Sequence, residues 1–181
     1  MNDQQKENAK IKAQYRSVQI TNVKINSEEV EIQYSQSDTG MTGSVCLSLD
    51  EKNALKNTPT PEFKNSLQEL AKHVCEICEW DAEEEASTIN VHGVILKYKG
   101  EDGEKIMGAQ ISASKKLLKT KAVMNFLTPY LPELVKEKNS GAARLTPDAA
   151  TQVHEVIQQA RLYLSNERAQ TKMEFEKKEK D

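Results

Sequence analysis

Cys75 and Cys78, with His73 just before them, are the residues of this chain whose types and spacing first suggest metal or redox chemistry. A structural zinc needs four ligands, and no second Cys-x-x-Cys or His pair stands at a suitable distance. A zinc deaminase carries Pro before its Cys pair and His-x-Glu upstream; neither is present. A thioredoxin-type pair opens a helix, where the dipole lowers the thiol pKa. Here the pair falls near the end of a helical pattern and ahead of acidic residues, which raise it. The pair reads as core cysteines, and no metal or cofactor is expected.

For catalysis a nucleophile must meet a base. His73 lies beside an apolar stripe, His92 at a break in strand parity, and His154 after Val153. No Gly-x-Ser-x-Gly, His-Glu-x-x-His or pair of carboxylates in an apolar setting accompanies them. No catalytic residues are expected, and the protein is not expected to be an enzyme. Gly100–Gly103 encloses Glu and Asp and precedes no Lys-Ser/Thr pair. It is a hairpin turn rather than a phosphate cradle. The polar turn Ser37–Gly43 could close on a ligand.

Binding chemistry is more visible. Lys115, Lys116, Lys119 and Lys121 form the densest basic cluster, in SASKKLLKTK between two strand patterns. Ammonium groups bind phosphates as point charges, so this segment is the candidate ligand site. The plainer reading is a solvated loop whose lysines protect strand edges. From Glu76 to Glu85 run six acidic residues and no basic one, around Trp80. Trp80, Glu79, Asp81 and Glu83 could dock a basic partner. The plainer reading is a solvated helix end with Trp80 folded onto the core. Carboxylates oppose the dipole at a helix C-terminus, so the helix should end near Glu79.

The elements that position these residues are legible in the apolar periodicity. Val18, Ile20, Val23 and Ile25 alternate with a parity break at Thr21-Asn22, the pattern of a bulged strand. Strands at 29–35 and 44–49 come after it. Thr60-Pro61 reads as N-cap and first helical residue, with Phe63, Leu67, Leu70, Val74 and Ile77 on one stripe. Ile89, Val91, Val94 and Leu96 repeat the first spacing, with the break at His92-Gly93. Strands near 105–113 and 121–127 come next, then a helix from Thr146-Pro147. The fold class is α+β, antiparallel sheet with helices packed on one face, in a βββα-βββα arrangement that a duplication would explain. One domain over 15–165 is expected, with subrepeats 15–80 and 87–165. Residues 1–14 read as a flexible arm and 166–181 as a charged tail.

Composition bounds the function. In 181 residues, 25 basic and 28 acidic side chains give a net charge of −3, which argues against a dedicated duplex-DNA coat protein. Aromatics are 5%, thin for a groove that stacks bases throughout. The polar start has no apolar h-region, and three cysteines without an export signal read as reduced thiols in a cytoplasm.

Three stretches, PEFKNSLQELAKHVCEICEW, GVILKYKGEDGEKIMGAQISASKKL and AVMNFLTPYLPE, carry a resemblance over about residues 18–165. They contain Pro61-Glu62-Phe63, His73-Val74 with Ile77-Cys78-Glu79, Gly93-Val94 with Tyr98, and Met107-Gly108-Ala109 with Ile111. In these the chain resembles a family of small bacteriophage- and prophage-encoded proteins without a settled function. The resemblance implies a viral origin and a bacterial cytoplasm, and supplies no catalytic residues. The expected function is non-enzymatic: an accessory protein, oligomeric through its edge strands, that binds single-stranded nucleic acid or the phage or host proteins of DNA metabolism. The alternative is a counter-defence protein that sequesters a host nucleotide signal or inhibits a host immune enzyme by direct binding.

Overall fold

The computed structural model describes residues 15, 18–36, 41–99, 106–133 and 143–165. The N-terminal arm 1–14, most of the turn 37–43, the turn 100–103 and the tail 166–181 lie outside the described residues. The fold is α+β. By their contacts residues 15–64 with 157–165 form one compact unit and residues 65–156 the other. The divide falls inside two helices.

The first unit is an antiparallel meander of β1 (Val18–Ile25), β2 (Glu29–Gln36) and β3 (Thr42–Ser48). Its register slips between Ile20 and Asn22, the bulge that the parity break predicts. Asn26 makes the first turn, its Oδ1 accepting from the N–H groups of Glu28 and Glu29 at 2.8 Å each. Val18, Ile20, Val23, Val30 and Ile32 are buried on one face, with Phe63, Ala160 and Tyr163 among the helical residues of the unit's core. The Phe63 and Tyr163 rings meet at 5.8 Å. Arg161 binds the Val18 carbonyl through Nε at 3.1 Å and Nη2 at 2.9 Å. A short helix α1 (Ala54–Asn57) follows β3.

Helix α2 (Pro61–Gln68) opens on Thr60, whose Oγ1 accepts from the Phe63 N–H at 3.3 Å, as the Thr-Pro pair predicts. The stripe from Phe63 to Ile77 lies on two helices rather than one. Leu70 N–H turns back to the Leu67 carbonyl at 3.1 Å, a tighter three-residue bond, before α3 (Ala71–Ile77) begins. Apolar spacing alone cannot show such a break, because both pieces keep the same buried side.

In the second unit, α4 (Ala82–Glu85) and a 3-10 turn lead to β4 (Ile89–Lys99), β5 (Ile106–Lys116), β6 (Val123–Leu127) and the short β7 (Leu131–Pro132). All pairs are antiparallel, in the order β4-β5-β6, with β7 also on β5. The register slips between Val91 and Gly93, so both meanders carry a bulge at the same place in their first strand. That likeness does not itself show duplication, since bulged antiparallel hairpins recur on independent folds. Ile89, Val91, Val94, Leu96, Ala109, Ile111 and Ala113 are buried on one face, with Leu67, Leu70, Val74, Cys75, Val153 and Val156 among the helical residues of the core. Helix α5 (Pro147–Leu164) starts as predicted, with Thr146 Oγ1 accepting from Ala149 N–H at 3.2 Å. No helix among the described residues is long and apolar enough to cross a membrane.

Candidate nucleic-acid interface

The acidic run is organised by how α3 ends. Glu79 takes a left-handed backbone, φ 57°. The Trp80 N–H then bonds the Cys75 carbonyl at 2.9 Å, and the Glu79 N–H bonds that of Glu76 at 3.3 Å. This pair of bonds is a Schellman motif, and it stops the helix where the carboxylates predict. Asp81 is spent locally: its side chain caps α4, accepting from Glu83 N–H at 2.9 Å and Glu84 N–H at 3.3 Å. Glu83, Glu84 and Glu85 then occupy the first turn of α4, where the dipole favours negative charge. Glu79 and Glu83 are exposed, and Trp80 is half-buried.

Trp80 joins the acidic run to the lysine cluster. Its ring stands edge-on to Phe126 at 5.3 Å, with Lys115 Nζ over it at 4.0 Å. The same ammonium pairs with Glu85 Oε2 at 2.8 Å, and the Lys115 side chain is only 12% exposed. Lys115 therefore faces the helices as part of a Trp–Lys–Glu cluster. The four lysines do not share one surface. Strand β5 runs through Lys116, so Lys115 and Lys116 project to opposite faces. Lys119 and Lys121 lie exposed in the tight turn to β6, closed by Leu117 N–H on the Ala122 carbonyl at 2.8 Å.

Lys116 belongs to the other face of the second unit's strands, where the register places Asn90, Ile95, Lys97 and Lys99 of β4 beside Gly108, Gln110, Ser112, Ser114 and Lys116 of β5. Val123, Asn125 and Leu127 of β6 continue it. Among the described residues, none of these strand positions carries an acidic side chain. Lys97, Lys99 and Lys116 are exposed. Tyr130 lies across this face: a Cβ on Gly108 would run into its ring, so only glycine admits it there. Lys97 Nζ and Lys99 Nζ stand 5.7 and 5.4 Å from its ring centre. Lys97, Lys99 and Tyr130 are missing from the sequence-based site. Some thirty residues separate the lysines from the tyrosine, and only the β4–β5 register and the glycine at 108 bring them together; Lys-x-Lys in a strand was the available signal.

The first unit's outer strand face differs. There Lys24 Nζ pairs with Glu29 Oε1 at 3.0 Å, and this bond holds the Glu29 carboxyl below the usual carboxylate range. Glu29 also accepts from the Cys46 thiol at 3.3 Å, which pushes that thiol's pKa up. Glu31 adds a second carboxylate to the same strand. A polyanion would be repelled here.

Two other arrangements bear on chemistry. At the bulge, His92 Nε2 lies 2.9 Å from Ser114 Oγ, and His92 Nδ1 lies 3.5 Å from Asn90 Nδ2. The order of groups is that of a nucleophile, base and orienter, but Ser114 is buried on its strand. A cavity of about 310 Å³ lies elsewhere, lined by Glu76, Ile77, Glu79, Leu131, Arg144 and Ala149 among others. His154 Nε2 meets Glu133 Oε1 at 3.0 Å, beside a second cavity of about 290 Å³. Burial pushes the Cys75 and Cys78 thiols up, so both remain protonated at neutral pH. The described residues hold no His, Cys, Asp and Glu cluster that could bind a metal. Set against protein-family models, curated proteins and solved structures, the chain matches none of them.

Proposed function

We propose that this protein is a non-enzymatic binding protein whose second unit takes single-stranded nucleic acid on its outer strand face. The observation that carries the reading is the acid-free face itself, with Lys97, Lys99 and Lys116 exposed and Tyr130 held across Gly108. Lysines neutralise phosphates along a backbone, and an aromatic ring offers a surface on which a base stacks. Lys119 and Lys121 extend the basic edge at the turn. The setting in this reading is phage DNA metabolism in a bacterial cell, the origin that the sequence resemblance implies.

Sequestration of a nucleotide signal is the second reading. The 310 Å³ cavity offers Arg144, but Glu76 and Glu79 share its wall and repel phosphate. That ranks it below the strand face. The test is fluorescence anisotropy of a labelled oligothymidylate against wild-type protein, K97E/K99E and the acidic-run variant E83Q. The double charge reversal should weaken binding at least about tenfold, since each lost phosphate contact also becomes a repulsion. E83Q should bind as wild type does. Equal affinity for wild type and K97E/K99E, or no binding at low salt, overturns the reading.

A further inference from the structure

The edge of the second unit's sheet has a property that nucleic-acid binding does not use. β6 ends the strand order, and among the described residues no strand pairs with its outer side. Of the five large apolar side chains most exposed among the described residues, Leu118, Val123, Met124 and Leu127 lie on β6 or the turn before it. Monomeric proteins blunt such an edge with charge, proline or a bulge. Val123-Met124-Asn125-Phe126-Leu127 has none of these.

The backbone shows which groups face outward. Thr128 N–H bonds the Ile111 carbonyl at 3.0 Å and Leu117 N–H bonds the Ala122 carbonyl at 2.8 Å, so residues 122 and 128 turn their polar groups towards β5. Antiparallel alternation gives 124 and 126 the same direction, and aims the N–H and C=O of Val123, Asn125 and Leu127 outward. We propose that this edge is a homodimer interface in which β6 pairs antiparallel with β6 of a second copy, across a twofold axis through Asn125. In that register Asn125 exchanges bonds with its own copy. Val123 lies opposite Leu127, and Met124 opposite Phe126, so every apolar side chain meets another on the same face.

Charge favours this occupant as well. Among the described residues, Lys116, Lys119 and Lys121 crowd one end of this edge. Antiparallel pairing sends the two basic ends in opposite directions, with Lys121 of one copy level with Pro129 of the other. A twofold normal to the sheet also puts the two outer faces on the same side. The dimer then offers one continuous acid-free strand surface. The interface stands without the nucleic-acid reading and is tested apart from it.

The experiment is sedimentation equilibrium of the full chain without nucleic acid. Wild type should have twice the 20.4 kDa chain mass. N125P removes one outward N–H and leaves the bonds to β5 in place, so it should sediment as a monomer. V123K/L127K sets lysine opposite lysine and should also be monomeric. V123K/L127E sets lysine opposite glutamate in this register alone, and should restore the dimer. Circular dichroism melts of the four proteins establish that each is folded. A monomeric wild type, or a V123K/L127K variant as dimeric as wild type, overturns the interface. A monomeric, folded V123K/L127E overturns the register.

Discussion

Adjacent residues of a strand project to opposite sides, so Lys115 and Lys116, alike in type and joined in sequence, meet different surroundings. Lys115 lies over the Trp80 ring at 4.0 Å and on Glu85 at 2.8 Å. Lys116 stands in solvent on the other face. K115M should lower stability by about 1 kcal/mol, the scale of a cation–π contact with a partly exposed ion pair. The same substitution should leave oligonucleotide affinity unchanged. Urea denaturation and anisotropy check the two halves, and an affinity loss equal to that of K97E/K99E would sink the division of roles. The lysine cluster was legible in the sequence as charge. Its partition between two faces was not, because the strand's extent through Lys116 depends on pairing with Val123.

At the scale of the element, chain ends and bulges were the most readable features. Thr60-Pro61 and Thr146-Pro147 open their helices through local bonds that a few neighbouring residues decide. Both parity breaks are bulges for the same reason: an extra residue must reverse the alternation. The acidic run was harder. It reads as repulsion at a helix end, yet Asp81 starts a new helix within it, and the Schellman turn at Glu79 is what separates the two. Glu79 has a side chain where the left-handed backbone favours glycine. E79G should therefore raise stability by about 1 kcal/mol, since an L residue there costs about 1–2 kcal/mol. Thermal melting reads the change, and a lowered melting temperature would show that the Glu79 side chain makes a contact worth more than the strain.

Over the whole molecule, a net charge of −3 hides a segregation of sign. Carboxylates gather at the α3–α4 junction and on the first unit's β2, while among the described residues one strand face of the second unit has none. On the proposed reading, the protein would approach nucleic acid against its own net charge and hold it by few contacts. With three to five lysines engaged, log affinity for a single strand should fall with log salt at a slope between about −2 and −3.5. A slope near zero would mean that the lysines contact no phosphate. The sequence by itself determined the α+β class, the bulges and the helix starts, because each is decided by alternation or capping within a few residues. Only the tertiary structure decided which lysines share a surface, that Tyr130 lies on Gly108 between Lys97 and Lys99, and that β6 is an edge. Those facts rest on register and on contacts between residues far apart in the chain, which no local pattern encodes.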